Sequence, residues 1–411
     1  MSTIRKKSYS AGLVSASILF TPLSLAIENE PYRTESGIEI APYLSASYGY
    51  DDNITQVSND TNKTSSPLLE VTPAVAIKAE RGESTFSAGY ALTNGSYSQS
   101  SQDNYLDHRF RSDNFLRFNT RNGLALNYSY MYLHENRGSG ISEGDNASNA
   151  INEPLKYDSH DINSTYVYGS ENAKGRLEGS LGYGNRIYKN FRYFEAAPEQ
   201  SSRFNDYDEN RYAMSFYYQV MPNTEAIFDI KKYDRRYKHH ASSATIQDSN
   251  TIFYYLGAKW DISGKTNGTI KLGLQDKDFI SANTEGFNGF SWSAELEWTP
   301  KEYSTITALT SQAAKDPEQD GDYIEEQYYQ LGWKHYWSAK VYNNITIAHR
   351  DENYTGVNRE ETTNFSDITL GYEIRRWFEI SANWKRIEKD SSLSNYGYKQ
   401  NYWGINANVT L

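Results

Sequence analysis

The 411-residue chain has no cysteine, only 10 prolines and no excess of basic residues. Without cysteine there is no disulfide framework, no Cys-held zinc site, no thiol nucleophile and no thiolate-bound cluster. With 41 Lys and Arg against 52 Asp and Glu the chain is acidic, and such a chain has no surplus of cations to displace the counterions of a nucleic acid. No long apolar run follows residue 26, which excludes a bundle of transmembrane helices. The shortage of proline suits long hydrogen-bonded strands, which tolerate few residues lacking an N–H. A mean hydropathy of −0.77 looks like that of a soluble protein, yet the 36 tyrosines are out of proportion for one.

Residues 1–26 begin with Arg5, Lys6 and Lys7, continue through an apolar stretch from Ala11 to Leu25, and place the small residues Ser24 and Ala26 before a cleavage point. That is the pattern of a secretory signal peptide, with an apolar part short for a membrane span. Cleavage leaves Ile27 first, with no cysteine for a lipid anchor. Removing three of the 41 basic side chains leaves 38 against 52 acidic ones, a formal charge of −14. Residues 27–37 read as a short periplasmic lead-in.

From residue 38 to 411 hydrophobic residues recur with period two, the mark of strands with two unlike faces. Trp403, Ile405, Ala407, Val409 and Leu411 alternate with Tyr402, Gly404, Asn406, Asn408 and Thr410. Phe290, Trp292, Ala294, Leu296 and Trp298 alternate with Ser291, Ser293, Glu295 and Glu297. Eighteen segments follow, near 38–50, 66–80, 84–97, 104–119, 123–136, 157–170, 175–188, 205–220, 224–238, 250–263, 267–279, 287–299, 303–314, 322–337, 340–352, 362–375, 377–389 and 396–411. Connections after even-numbered segments are short, as at 82–83, 121–122, 222–223 and 338–339. Those after odd-numbered segments are usually longer and polar, as at 51–65, 137–156, 190–204, 239–249 and 353–361. Short turns at one end and long loops at the other predict an all-β fold, a transmembrane antiparallel β-barrel of about 18 strands with short periplasmic turns and long extracellular loops. An even count with both termini at the short-turn end leaves no free edge facing lipid.

This fold accounts for the composition. A wide barrel has lipid outside and water inside, so only half of each strand need be apolar. Tyr and Trp suit the two interfaces, where an apolar ring with a polar edge is at home. The alternative, a soluble β-sandwich or propeller, calls for a core richer in Val, Ile and Leu and poorer in Tyr.

If the face bearing Trp403 and Ile405 meets lipid, the other parity lines the lumen. The lumen-lining candidates for a substrate path are then Arg109, Arg111, Arg117, Arg176, Lys231, Lys259, Lys271, Glu295, Glu297, Lys334, Arg375 and Lys385, with Glu178, Asp229, Glu373 and Glu379 among them. Arg109, Arg111 and Arg117 share one strand. Paired with acids across neighbouring strands they buttress the wall; unpaired, they make a stripe attractive to anions. Luminal Tyr43, Tyr217, Tyr255, Tyr328 and Tyr336 either stack against sugar rings or fill space. The net negative charge sits mainly in loops and at strand ends, at Asp51, Asp52, Glu143, Asp145, Asp206, Asp208, Glu209, Asp316, Glu318, Asp320 and Asp322. It reads either as a solvated, cation-bridged surface or as an acidic vestibule.

There is no GxSxG, P-loop or HExxH motif. Adjacent His239 and His240 point apart on an extended chain and are not read as a metal site. No enzyme activity, metal or cofactor is expected.

The strand GIEIAPYLSASYGYDDNI (37–54), the following SPLLEVTPAVAIKAERGES (66–84) and the Tyr-rich hairpins resemble the outer-membrane β-barrel family called putative β-barrel porin 2. The closing NYWGINANVTL (401–411), through Gly404, Ala407, Val409 and Leu411, resembles the C-terminal signal read by the barrel-assembly machinery; Leu411 departs from the commoner terminal Phe. Members of the family are often encoded in exopolysaccharide and capsule loci. The resemblance therefore implies a conduit in the outer membrane of a Gram-negative bacterium for a biofilm or capsule polysaccharide. Its partners would be outer-membrane lipid and lipopolysaccharide, the polysaccharide itself, the assembly machinery and periplasmic export components. A general or oligosaccharide-specific diffusion porin, and a surface adhesin or structural barrel, stand as alternatives.

Overall fold

The computed structural model describes residues 31–58, 62–170, 173–194, 200–241, 247–262 and 264–410. The expected signal peptide and Leu411 lie outside the described residues.

Alternating polar and apolar residues build eighteen long strands: β1 (Glu39–Asp51), β2 (Ser66–Arg81), β3 (Ser84–Tyr97), β4 (Tyr105–Arg117), β5 (Asn122–Glu135), β6 (Leu155–Tyr168), β7 (Gly175–Tyr188), β8 (Tyr207–Met221), β9 (Thr224–Tyr237), β10 (Ser249–Ile262), β11 (Thr266–Phe279), β12 (Phe287–Lys301), β13 (Ser304–Lys315), β14 (Ile324–Tyr336), β15 (Val341–Tyr354), β16 (Arg359–Arg375), β17 (Phe378–Ser391) and β18 (Tyr398–Thr410). Ahead of them a two-residue strand, Tyr32–Arg33, pairs with Ile40 and Glu39. Each long strand lies antiparallel to its neighbour in chain order, and β18 returns to β1, from Tyr402 opposite Asp51 to Thr410 opposite Tyr43. The barrel is closed.

Register separates the two faces. Leu256, Leu272 and Trp292 stand opposite one another across β10, β11 and β12, and Leu256 is 66% exposed where lipid would cover it. One residue further on, Tyr255, Gly273 and Ser291 form an inner row. Inner tyrosines lie flat on neighbouring glycines. A Cβ added at Gly95 or Gly371 would come within 2.2 Å of the ring of Tyr105 or Tyr342, so only glycine admits these rings, a packing device of curved sheets.

The strands are taller than a membrane. They run from 12 residues in β13 to 17 in β16, against about 9–11 needed to cross hydrocarbon. On the outer face of β11, Ile270, Leu272 and Leu274 give way to Asp276 and Asp278 towards the long-loop end. The expected loop at 353–361 shrinks for the same reason, because Tyr354 and Arg359 pair with each other. There both faces are polar, and hydrophobic periodicity no longer marks the strand.

A charge on the lipid face of this wall should be costly. Leu272→Arg, in the middle of the apolar band, is expected to destabilise the barrel by about 2–4 kcal/mol. Ser293→Glu, on the inner face opposite Lys271, should change little. Urea titrations of both variants refolded into lipid vesicles measure the difference.

Candidate functional site: a lumen braced by its own loops

The inner wall holds the charged residues in pairs. Arg109 meets Asp107 at 3.0 Å and Arg111 meets Asp113 at 2.6 Å, each acid two residues away on the same face of β4. Arg117, at the short-turn end, lies 3.5 Å from Glu83. Of the two readings of these three arginines, the arrangement matches the paired one, and they do not form a stripe of unpaired charge. Sequence reasoning placed the balancing acids on neighbouring strands, whereas β4 supplies two of them itself through its period of two.

The other candidates are arranged similarly. Arg176 contacts Glu178 at 3.0 Å and Glu225 at 3.3 Å. Lys231 and Lys271 share the buried Asp229, at 3.5 and 2.7 Å. Lys259 stands opposite Glu225 and Thr269 on the inner row. Lys334 lies over the rings of Tyr336 and Tyr342. Lys385 is 3.8 Å from Asp367. Glu295 stands opposite Leu309, and Glu297 accepts a hydrogen bond from Asn267 at 3.0 Å. Arg375 requires a correction. A bulge after Glu373 puts it opposite Phe378, whose own partner Val409 faces Leu44 on the outer side, so Arg375 leaves the luminal row at the short turn. In β18, Gly404 faces Gly49, while Ala407 and Val409 stand opposite Ala46 and Leu44.

The phenols expected on the inner face are tied to the wall. Tyr43 donates to Asn408 at 2.9 Å, Tyr328 to Gln330 at 2.7 Å and Tyr336 to Glu373 at 3.1 Å. Tyr255 shares a 2.7 Å hydrogen bond with Ser291, and Tyr217 carries the Arg176 guanidinium over its ring. Side-chain amides, a hydroxyl and charged groups of the wall hold these five rings in place.

At the long-loop end two loops turn inwards. Loop 136–154 leaves β5 with Arg137 forked onto Asp103 at 2.7 and 2.6 Å, and Ile141 and Ile151 pack with Leu155 and Tyr188. It then crosses to the other side of the barrel, where Glu143 meets Arg359 of β16 and Lys389 of β17. Beyond Glu143, Asp145 accepts from the Ser58 amide at 2.7 Å, and Ser148 donates to the Thr55 carbonyl at 2.7 Å. Loop 316–323 comes from the opposite wall. Gln319 donates to the carbonyls of Ile141 and Glu143 at 3.1 and 3.0 Å, which joins the two loops over the lumen.

Asp316 anchors the second loop. It meets Arg235 of β9 at 2.7 Å and Lys277 of β11 at 2.5 Å. Burial alone would raise the Asp316 carboxyl, but the Lys277 ammonium and the Arg235 guanidinium hold it below its ordinary value. Reading the acidic loops as a solvated surface is thus corrected at these positions: Glu143, Asp206 and Asp316 are turned onto cations. The cations that receive the two loops, Arg235, Lys277, Arg359 and Lys389, were missed in the sequence. Arg235 and Lys277 have the same parity as Lys231 and Lys271, a signal that was there to find. Arg359 and Lys389 fall where apolar alternation has already ended.

A family model described as "Putative beta-barrel porin 2" matches residues 39–411. The chain belongs to that family. Its members' model thus spans the whole barrel of this porin-family protein, which is an outer-membrane, porin-like β-barrel. Among solved structures, OccAB3 of Acinetobacter baumannii is 12% identical, with 91% of this chain and 99% of that one covered at a TM-score of 0.47. The outer membrane protein opdK of Pseudomonas aeruginosa is 11% identical, with 91% and 99% covered and a TM-score of 0.47. The siderophore receptor PirA of A. baumannii is 8% identical, with 92% and 81% covered and a TM-score of 0.47. No curated protein matches the chain.

In this porin-family barrel Asp316→Asn leaves buried Lys277 without its carboxylate. It should lower the unfolding free energy by about 3 kcal/mol, measured by denaturant titration in detergent. A depressed carboxyl contributes fully above its ordinary value of 3.8 and loses that contribution as pH falls through the lower folded value. Protease resistance of loop 316–323 should therefore survive at about pH 4 and fail on further acidification.

Proposed function

We propose that the barrel is an outer-membrane conduit for a secreted exopolysaccharide of a biofilm matrix or capsule. The observation that supports this most directly is the inner wall, where acids and bases are largely paired and phenols and amides fill the space between. A wall without a stripe of free charge offers a sugar chain many weak, solvent-exchanged contacts along its height. Along such a wall polymer slides from contact to contact. Periplasmic export components would deliver it to the short-turn end, and export of the protein itself would use residues 1–26 and the C-terminal signal.

A general or oligosaccharide-specific diffusion porin is the second reading. It is favoured by the two loops joined over the lumen through Gln319, which would set a size limit for small solutes. The adhesin reading is weaker, because acids that would be displayed outwards are turned onto the barrel's own cations.

Extracellular and periplasmic polysaccharide measured in a deletion strain separates the two main readings. The conduit reading expects periplasmic retention, reversed by the wild-type gene and by a variant with Arg109, Arg111 and Arg117 all changed to Ala, since those charges are already neutralised. Unchanged secretion in a strain with no redundant barrel would move the assignment to the diffusion porin.

A further inference from the structure

The place where loop 136–154 meets the far wall has the composition of a ligand site. Arg359 is 2% exposed and Lys389 7% exposed on the inner face of β16 and β17. The Arg359 guanidinium is sandwiched between the rings of Tyr354 and Tyr396, at 4.2 and 4.0 Å. One wall acid, fully buried Glu361, serves both cations, at 2.7 Å from Arg359 and 2.6 Å from Lys389. Two buried cations against one acid leave the wall one carboxylate short.

The neighbouring inner group balances itself. Lys315 and Arg350 face Glu326 and Glu352, two against two, with no acid from the folded-in loops. At Arg359 and Lys389 the missing carboxylate comes from Glu143, in the middle of a loop and 20% exposed, bonded to both cations. An immobilised guanidinium fork is suited to a carboxylate. The group that fills it is carried by a loop and not by a strand of the wall.

Resting on the conduit reading, we propose that Arg359 and Lys389 form a binding site for the carboxylate of a uronate-containing glycan, and that Glu143 occupies this site until the glycan displaces it. Exchange of one carboxylate for another keeps both buried cations paired. A neutral sugar cannot make the exchange, since it would leave two buried cations with one acid. Displacement removes the tie between Glu143 and the far wall, while Arg137 and the Ile141 cluster keep the near side of the loop in place. The site therefore selects acidic over neutral polymer at the long-loop mouth.

The test uses the purified full-length barrel in planar bilayers, with hexagalacturonate and the neutral maltohexaose as probes. Hexagalacturonate should produce concentration-dependent current fluctuations in the wild type, and maltohexaose at the same concentration should not. Glu143→Gln, which removes the internal competitor, should respond at a roughly tenfold lower uronate concentration. Arg359→Gln and Lys389→Met should lose the response, with folding of each checked by heat-modifiable gel migration. Equal responses of the wild type to both sugars overturn the proposal without recourse to any variant. So does an unchanged uronate sensitivity in folded Glu143→Gln, or a full response in folded Arg359→Gln and Lys389→Met. Normal secretion in the deletion strain, together with a selective uronate response here, overturns the conduit reading and keeps the site.

Discussion

Everything in this protein depends on the hydrogen bonds between β18 and β1. In hydrocarbon an unpaired strand edge leaves N–H and C=O groups with no partner, at several kcal/mol each. The pairing from Tyr402 opposite Asp51 to Thr410 opposite Tyr43 removes that edge. Once the sheet is closed, every strand has one face to lipid and one to the lumen, and the period-two pattern has a physical purpose throughout the chain. Closure also brings together residues at opposite ends of the sequence. The seam thus makes both the membrane wall and the chamber within it.

Inside that chamber the controlling constraint is charge balance. Cations on the inner wall are held close to acids because an unpaired buried charge is costly. Most are satisfied by the wall itself, within a strand as at Arg111 and Asp113 or between strands as at Lys271 and Asp229. At two places a loop carboxylate joins the wall's own charges. Arg235 and Lys277 with Glu209 are completed by Asp316, and Arg359 and Lys389 with Glu361 are completed by Glu143. In both cases a loop residue supplies the second carboxylate, so the same kind of ion pairing ties two loops into the mouth. The two acids differ in context. Asp316 directly follows β13 and is nearly buried, whereas Glu143 lies far out on its loop.

The barrel was largely legible in the sequence. All eighteen strands lie where alternation places them, with ends moved by a few residues, because a surface between lipid and water writes its two environments into every second residue. The inner parity of Arg109, Lys271 and Glu295 was legible for the same reason. The misses lie outside the membrane. Arg375 leaves its row through a bulge that alternation does not mark, and Arg359 lies in a stretch with both faces polar, where it read as loop. The acidic loops read as solvated because composition records their charge and says nothing of what they touch.

By itself, the sequence determined the class of protein, the strand count, the two faces and the polar character of the lumen. Each of these follows from periodicity, which is a local property. Only the tertiary structure decided which charges are paired across the lumen, since Glu143 and Arg359 are 216 residues apart and meet only because the barrel curves one wall round to face the other. Contacts across a lumen depend on curvature and loop path, and neither leaves a periodic trace in the residues.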